Sequence, residues 1–402
     1  MELSLYTYCT FTQLTRQRHN RKPFMKISVL QENLSHGLSI VSRAVSPRST
    51  LPVLSNILVA TDDGRLRLSA TNLELGITCW IGAKIEEEGS TTVPARTFTD
   101  LVSTIPPAAT DVMLHEPTQT LNIKSGSLNT DIKCIDAQEF PPMPSPDLES
   151  GIEINVTDFK EMIKQVVFAA SHDEARPILT GVLITVEDNT MTLAAADGFR
   201  LSVRTAKLSS SVQQPVKAVI PSRALSELAR VSNDGSEVIT MSLPPDRGQV
   251  IFRTKNIELV SQLIEGTFPD YQQIIPKEYQ TRTILSTPSF LKSCKQAEIF
   301  AREGSLIAQV NIRPGSEENT PGEVEISGQS EETGSSQAIM DGTIEGNDII
   351  IAFNVRYLRE VLDVIQTPTV ALETSKSTSP GVIRPVGDDD FLHVIMPMHL
   401  GN

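Results

Sequence analysis

Six histidines, four cysteines and forty-nine carboxylates are the residues of this chain that could catalyse a reaction or hold a metal. Their spacing proposes neither. His19, His36, His115, His172, His393 and His399 are scattered, and none has a Cys or His at metal-ligand spacing. Cys9, Cys79, Cys134 and Cys294 lie far apart with no CxxC pair. They read as ordinary thiols of a reducing cytosol rather than a zinc site or a disulfide frame. Carboxylate runs such as Glu86–Glu88 and Asp388–Asp390 have the pattern of solvated loops. There is no GxxxxGK[ST], no GxGxxG after a strand, no HExxH and no GxSxG. Nothing in these residues proposes a metal, a cofactor or a reaction, and they do not by themselves exclude an enzyme.

What recurs is a cation. VPARTFTDLVSTI (93–105), IPSRALSELARVS (220–232) and FNVRYLREVLDVI (353–365) place Arg96, Arg223 and Arg356 two residues before an apolar stripe. The stripes run Phe98, Leu101, Val102; Leu225, Leu228, Ala229; and Leu358, Val361, Leu362. Each is an amphipathic helix, and three arginines in register imply a shared directional role.

Other segments repeat as well. LPVLSNILV (51–59) aligns with RPILTGVLI (176–184) at an offset of 125 residues, Pro52 on Pro177. At the same offset Asn72 falls on Asp197, and Leu34, Leu38, Val41 and Val45 fall on Phe159, Ile163, Val166 and Ala170. That spacing predicts one helix per copy, with Lys160 and Lys164 on the open face of the second and Thr157 as a loose start signal. A third copy begins near Thr287, where Phe290, Cys294, Ala297 and Ala301 keep the spacing and Lys292 and Lys295 lie on other faces. Short alternating segments at 66–70, 191–195, 250–253 and 258–263 read as strands. The fold class is thus α+β: three similar domains at 25–146, 150–276 and 280–402, each with two helices and antiparallel strands. The repeats are too long for a solenoid.

At 402 residues with 39% hydrophobic content, the chain can build such cores. No apolar run approaches the length of a membrane helix, and residues 1–24 lack the apolar block of a secretory signal. The balance of 35 basic and 49 acidic residues gives −14, with a pI near 5.0. Taken alone, that argues against a nucleic-acid partner.

Six landmarks in order alter that reading: SPRSTLPVLSN (46–56), VPAR (93–96), ADGFRL (196–201), FPDY (268–271), FNVRYL (353–358) and VIMPM (394–398). Over residues 25–400 the chain resembles the bacterial DNA polymerase III beta subunits, the sliding clamps. The resemblance implies a non-catalytic, cytoplasmic head-to-tail homodimer whose six domains close a ring around duplex DNA without reading sequence. It implies a tether for the replicative polymerase alpha subunit, the clamp loader, repair polymerases and other proteins with short clamp-binding peptides. No membrane is involved. A sliding ring needs a modest positive field on its inner face only. Acid on the outer wall lies beyond a Debye length of about 8 Å.

By the same resemblance, DNA-facing cations are Arg48, Arg96, Lys160, Lys164, Arg176, Arg223, Lys292, Lys295 and Arg356. The peptide pocket is Leu179, Gly198, Phe199, Arg200, Leu201, Pro269, Gln273, Ile274, Pro380, Val394, Ile395, Met396, Pro397, Met398 and His399. Its Met-containing walls suit several ligands. The dimer contact is Asn129, Thr130, Asp131 and Ile132 on one side and Ile299 and Phe300 on the other. Phe199 stands where the family commonly has His, and Gln273 and His399 stand where some relatives have Arg. Those two changes remove positive charge from the pocket rim. Residues 1–24 are foreign to the family and expected to be disordered or absent in the cell: Met25 reads as the native start, translation from upstream is the alternative, and an Arg-bearing, acid-poor organelle leader is a minor third.

Overall fold

The computed structural model describes residues 25–46, 49–144, 151–232, 235, 237–245, 247–316 and 320–399. The expectation for residues 1–24 lies outside them. Six α-helices occur among these residues: α1 (Gln31–Val41), α2 (Ala95–Thr104), α3 (Val156–Val166), α4 (Ser222–Val231), α5 (Thr287–Ala301) and α6 (Val355–Leu362). Packing divides the chain into two compact units, one built around residues 25–144 and the other around 151–255 and 261–399.

In the first unit, α1 and α2 pack together over two antiparallel arrays. One array has the order Lys84–Glu87, Lys26–Leu30, Ala109–His115, Thr120–Ser125, Leu128–Lys133. The other runs Ser90–Pro94, Asn56–Asp62, Arg65–Thr71, Leu75–Ile81. The apolar stripes face inward as their period requires: Leu34, Leu38, Val41, Phe98 and Val102 are at most 1% exposed. Removing a ring such as that of Phe98 would cost about 3–5 kcal/mol.

The second unit contains two further copies. In the first of these, α3 buries Phe159, Met162, Ile163 and Val166, and α4 buries Leu225 and Leu228. The start of α3 is set by Asn155 rather than Thr157. The Asn155 side chain accepts from the amides of Thr157 (2.9 Å) and Asp158 (3.2 Å), because helical geometry already begins at Val156. In the last copy α5 buries Phe290, Cys294, Ala297 and Ala301, and Asn354 caps α6 through the Arg356 amide at 3.0 Å. Strand Arg200–Lys207 pairs antiparallel with Phe391–Ile395, Leu201 opposite Val394, which joins the two copies in one sheet.

The offset of 125 residues has a concrete structural basis. Asn72 Oδ1 accepts from the Glu74 and Leu75 amides at 3.1 and 2.7 Å. Asp197 Oδ1 accepts from those of Phe199 and Arg200 at 2.8 and 3.0 Å. Each side chain builds the same tight turn. The residue after it is left-handed in both copies: Leu73 at φ 77° and Gly198 at φ 97°. Only the second copy uses the residue type that adopts this conformation at no steric cost.

Candidate partner cavity and helix faces

A cavity of about 430 Å³ opens in the second unit. One wall is the 3₁₀ turn after α3 with the loop 170–176, contributing Phe168, His172, Asp173 and Arg176. A second is the tight turn at Asp197, which presents Phe199 with 55% of its surface exposed. A third is α6 with its cap, contributing Asn354, Arg356, Tyr357 and Glu360, with Leu306 beside it.

Arg200 ties these walls together. It is 8% exposed. Its Nε donates to Asp197 (3.1 Å), one Nη to Glu360 and the other to the Phe168 carbonyl (2.6 Å). Its guanidinium also stacks 4.2 Å from the Tyr357 ring centre. Burial and the nearby Asp197 push the Tyr357 phenol up. At the rim, the Ala175 amide and then the Arg176 guanidinium hold the Asp173 carboxyl below its usual range. Beneath, His393 is fully buried, its Nδ1 2.5 Å from Ser202 Oγ and its ring stacked on Phe168. Burial, then the Arg200 charge, hold its pKa well below the ordinary 6.5.

Beside the cavity lies an apolar shelf. Leu201, Val394 and Phe268 are buried there with Ile178, Leu179 and Tyr271 packed against them. The chain end is fastened across it: the Met396 amide donates to the Phe199 carbonyl and the Met398 amide to that of Ala352, each at 2.8 Å. Met396 is 42% exposed, Pro397 and Met398 are half-buried, and His399 is exposed. Pro269, Gln273 and Ile274 are also exposed and Pro380 is half-buried, with Gln273 donating to Asp270 at 2.8 Å.

One of the residues assigned to the pocket by resemblance sits differently. Ile395 packs in the core of the last copy, because adjacent strand residues point to opposite faces and Val394 takes the shelf side. Arg200 does line the cavity, with its donors spent on Asp197, Glu360 and the Phe168 carbonyl. Phe168, Tyr357, Asn354 and Glu360 line the cavity and were missed. Tyr357 lies inside FNVRYL, so the landmark contained the signal.

Among the cations, Arg96, Lys164, Arg223, Lys292 and Lys295 are exposed on α2, α3, α4 and α5, and Lys160 is half-buried on α3. Arg96 faces Asp100 at 3.7 Å and Lys295 bonds Asp363 at 3.0 Å. Arg176 and Arg356 open on the cavity. Arg48 lies outside the described residues. Of the dimer residues, Asn129, Asp131 and Ile299 are exposed, Thr130 and Phe300 are half-buried, and Ile132 faces its own core at 5% exposure. The described residues contain no cluster of three or more metal-ligating side chains, and none of their helices is long and apolar enough to cross a membrane. Cys79 and Cys294 are buried, and Cys134 is half-buried.

Three α+β copies, each setting two helices against antiparallel strands, define a three-domain clamp fold. Sequence profiles of the N-terminal, central and C-terminal domains of the DNA polymerase III beta subunit match residues 25–144, 153–270 and 272–399. The beta sliding clamp of Synechococcus elongatus is 32% identical, spanning 94% of this chain and 100% of its own. That of Bacillus subtilis is 31% identical over 93% of this chain and 99% of its own. The crystal structure of the Bacillus subtilis DNA polymerase sliding clamp superposes with a TM-score of 0.88 at 29% identity, covering 94% of this chain and all of that one. The chain belongs to the DNA polymerase III beta subunit family. Its function is that of a sliding clamp, a non-catalytic subunit that confers processivity on DNA polymerase III.

Proposed function

We propose that two copies of this chain close head to tail into a ring of six domains around duplex DNA, and that the cavity and its apolar shelf hold linear peptides of the replicative polymerase alpha subunit, the clamp loader and repair polymerases. The observation that carries the partner reading is the coupling of Met396 to Phe199 across the seam of the last two copies. It sets exposed apolar side chains beside a built cavity, where a few buried anchors supply most of a peptide's affinity. A polymerase so tethered sees its primer end at high effective concentration.

Closure is supported by two open sheet edges. Strand Leu128–Lys133 ends its array with one side unpaired among the described residues. Strand Gly334–Gly346 pairs with Gly322–Ser330 along 334–342, but on its other side only from Thr343 onward. Ile299 and Ile339 are 53% and 60% exposed. Exposed edges of this kind are templates for a further strand, and a head-to-tail pairing of one with the other closes because the rotation returns to its start. Exposed Arg96, Lys164, Arg223 and Lys292 supply the sequence-independent field for DNA. The test is retention on DNA of two shapes. The loaded protein should co-elute with nicked circular plasmid and be lost when that plasmid is linearised. Equal retention on both would replace the ring with simple adsorption.

A further inference from the structure

The repeat supplies an internal control for what the fold itself requires. In the first unit Arg67 stands directly opposite Trp80 on the neighbouring strand, and Arg65 opposite Asp62. In the next copy the equivalent positions are Thr192 opposite Thr205 and Thr190 opposite Glu187. The same pairing thus forms with two threonine hydroxyls 3.3 Å apart where the first copy sets an arginine against a tryptophan. Neither the pairing nor its register needs the larger residues. Adjacent strand residues point to opposite faces. Leu66, Leu68, Cys79 and Ile81 are buried, and a Cβ at Gly37 of α1 would meet Leu68 and Ile81. Arg65, Arg67 and Trp80 therefore face away from α1, and all three are half-buried. The Trp80 indole donates to Asp62 Oδ2 at 2.7 Å, which fixes the ring, and Arg65 lies over it, 5.7 Å from its centre. Arg67 reaches the same oxygen only at 3.6 Å, beyond hydrogen-bond range. Neither guanidinium hydrogen-bonds a carboxylate among the described residues. Two arginines stand against one aspartate in a chain of net charge −14.

We infer that Arg65, Arg67 and Trp80 form a docking site for an acidic segment of another protein. Arginine and tryptophan are the residue types that most often anchor protein contacts. The ring holds Arg65 in place, so little rotamer freedom is lost when its planar fork meets a carboxylate. An acidic segment is repelled by the net charge of this chain, and the arginine pair gives it a local excess of positive charge to meet. Single-stranded DNA is the poorer fit. It is held by bases stacked on open rings, and Arg65 already lies over this one. The site draws on residues of the first unit only and depends on neither the ring nor the cavity.

Trp80 is the single tryptophan of the chain, so its fluorescence in the full chain reports on this site and not on cations elsewhere. The probes are a short acetylated and amidated peptide of alternating Asp and Ala, its Asn twin, and oligo-dT. At low salt the Asp peptide should change the Trp80 emission saturably, with a half-saturation about fivefold or more below that of the Asn twin, and the ratio should shrink as salt rises. Arg65→Gln/Arg67→Gln should bring the ratio to about one. Arg65→Lys/Arg67→Lys, which keeps the charge and loses the fork, should lower it part of the way and decides the matter if the Gln variant does not fold. The ratio is measured within one protein, so a general loss of stability cannot imitate its collapse. An Asp peptide that leaves the emission unchanged, or acts no differently from its Asn twin, overturns the inference and leaves the arginines as a cross-strand contact alone. So does an unchanged ratio in a folded variant. Oligo-dT that saturates below the Asp peptide, with its response lost in the Gln variant, overturns it in favour of nucleic acid.

Discussion

Arg200 and His393 occupy adjacent places beneath the cavity and illustrate two ways of burying a charge-capable group. Around Arg200, two carboxylates, a carbonyl and two aromatic rings replace water. His393 has no such set. Ser202 satisfies Nδ1, and Nε2 is buried without a partner, so the ring stays neutral in the fold. The unfolded chain binds a proton near pH 6.5 that the folded chain refuses. Stability is therefore complete above that pH and declines as pH falls below it, by up to about 1.4 kcal/mol per pH unit for one proton. Urea midpoints measured from pH 7.5 to 5.5 should show this decline. His393→Gln should flatten it, and parallel profiles would locate the titration elsewhere. The residue scale was also the least legible in sequence. Arg200 and Glu360 are 160 positions apart, and nothing local in either segment announces their meeting. The sequence shows that Asn72 and Asp197 correspond, and the tight turn that both build emerges only in the structure.

At the scale of elements, the helices were readable because a stripe of period 3.6 carries its own register. Phe98, Leu225 and Leu358 all face inward as expected, and Arg96, Arg223 and Arg356 all face solvent. Strand Gly334–Gly346 was not readable. Its Ser335, Ser336 and Gln337 are polar, and Ile339, an apolar residue ahead of Met340, points outward with 60% of its surface exposed. An edge strand with a partner on one side needs no continuous apolar face. That outward Ile339 suits pairing with another chain, and the expected outcome is specific. Ile299→Asp with Ile339→Lys should give folded monomers by light scattering at micromolar concentration, since both side chains are exposed and neither change opens a cavity in the core. A dimer mass in that variant would move the interface away from this edge.

For the whole molecule, a net charge of −14 and a DNA partner are compatible only if the cations are sorted by location. In the proposed ring, the exposed arginines and lysines on α2, α3, α4 and α5 would supply that sorting. Changing Arg96, Arg223 and Lys292 to Glu should lower retention on nicked circles, most at low salt, without changing the oligomer mass. Equal retention at low salt would remove these three from the DNA-facing surface. The long strand Gly334–Gly346 has a mechanical meaning as well. It belongs to two arrays at once, bonded along 334–342 on one side and along 343–346 on the other. In the proposed ring, an outward pull along this strand would load its hydrogen bonds together, as a lap joint does. A force lifting one end would break them singly, as a zip does. The seam would therefore resist the tension of a moving polymerase while remaining easy to unfasten from one end, which makes the direction of force, more than its size, the quantity that sets how long the ring stays shut.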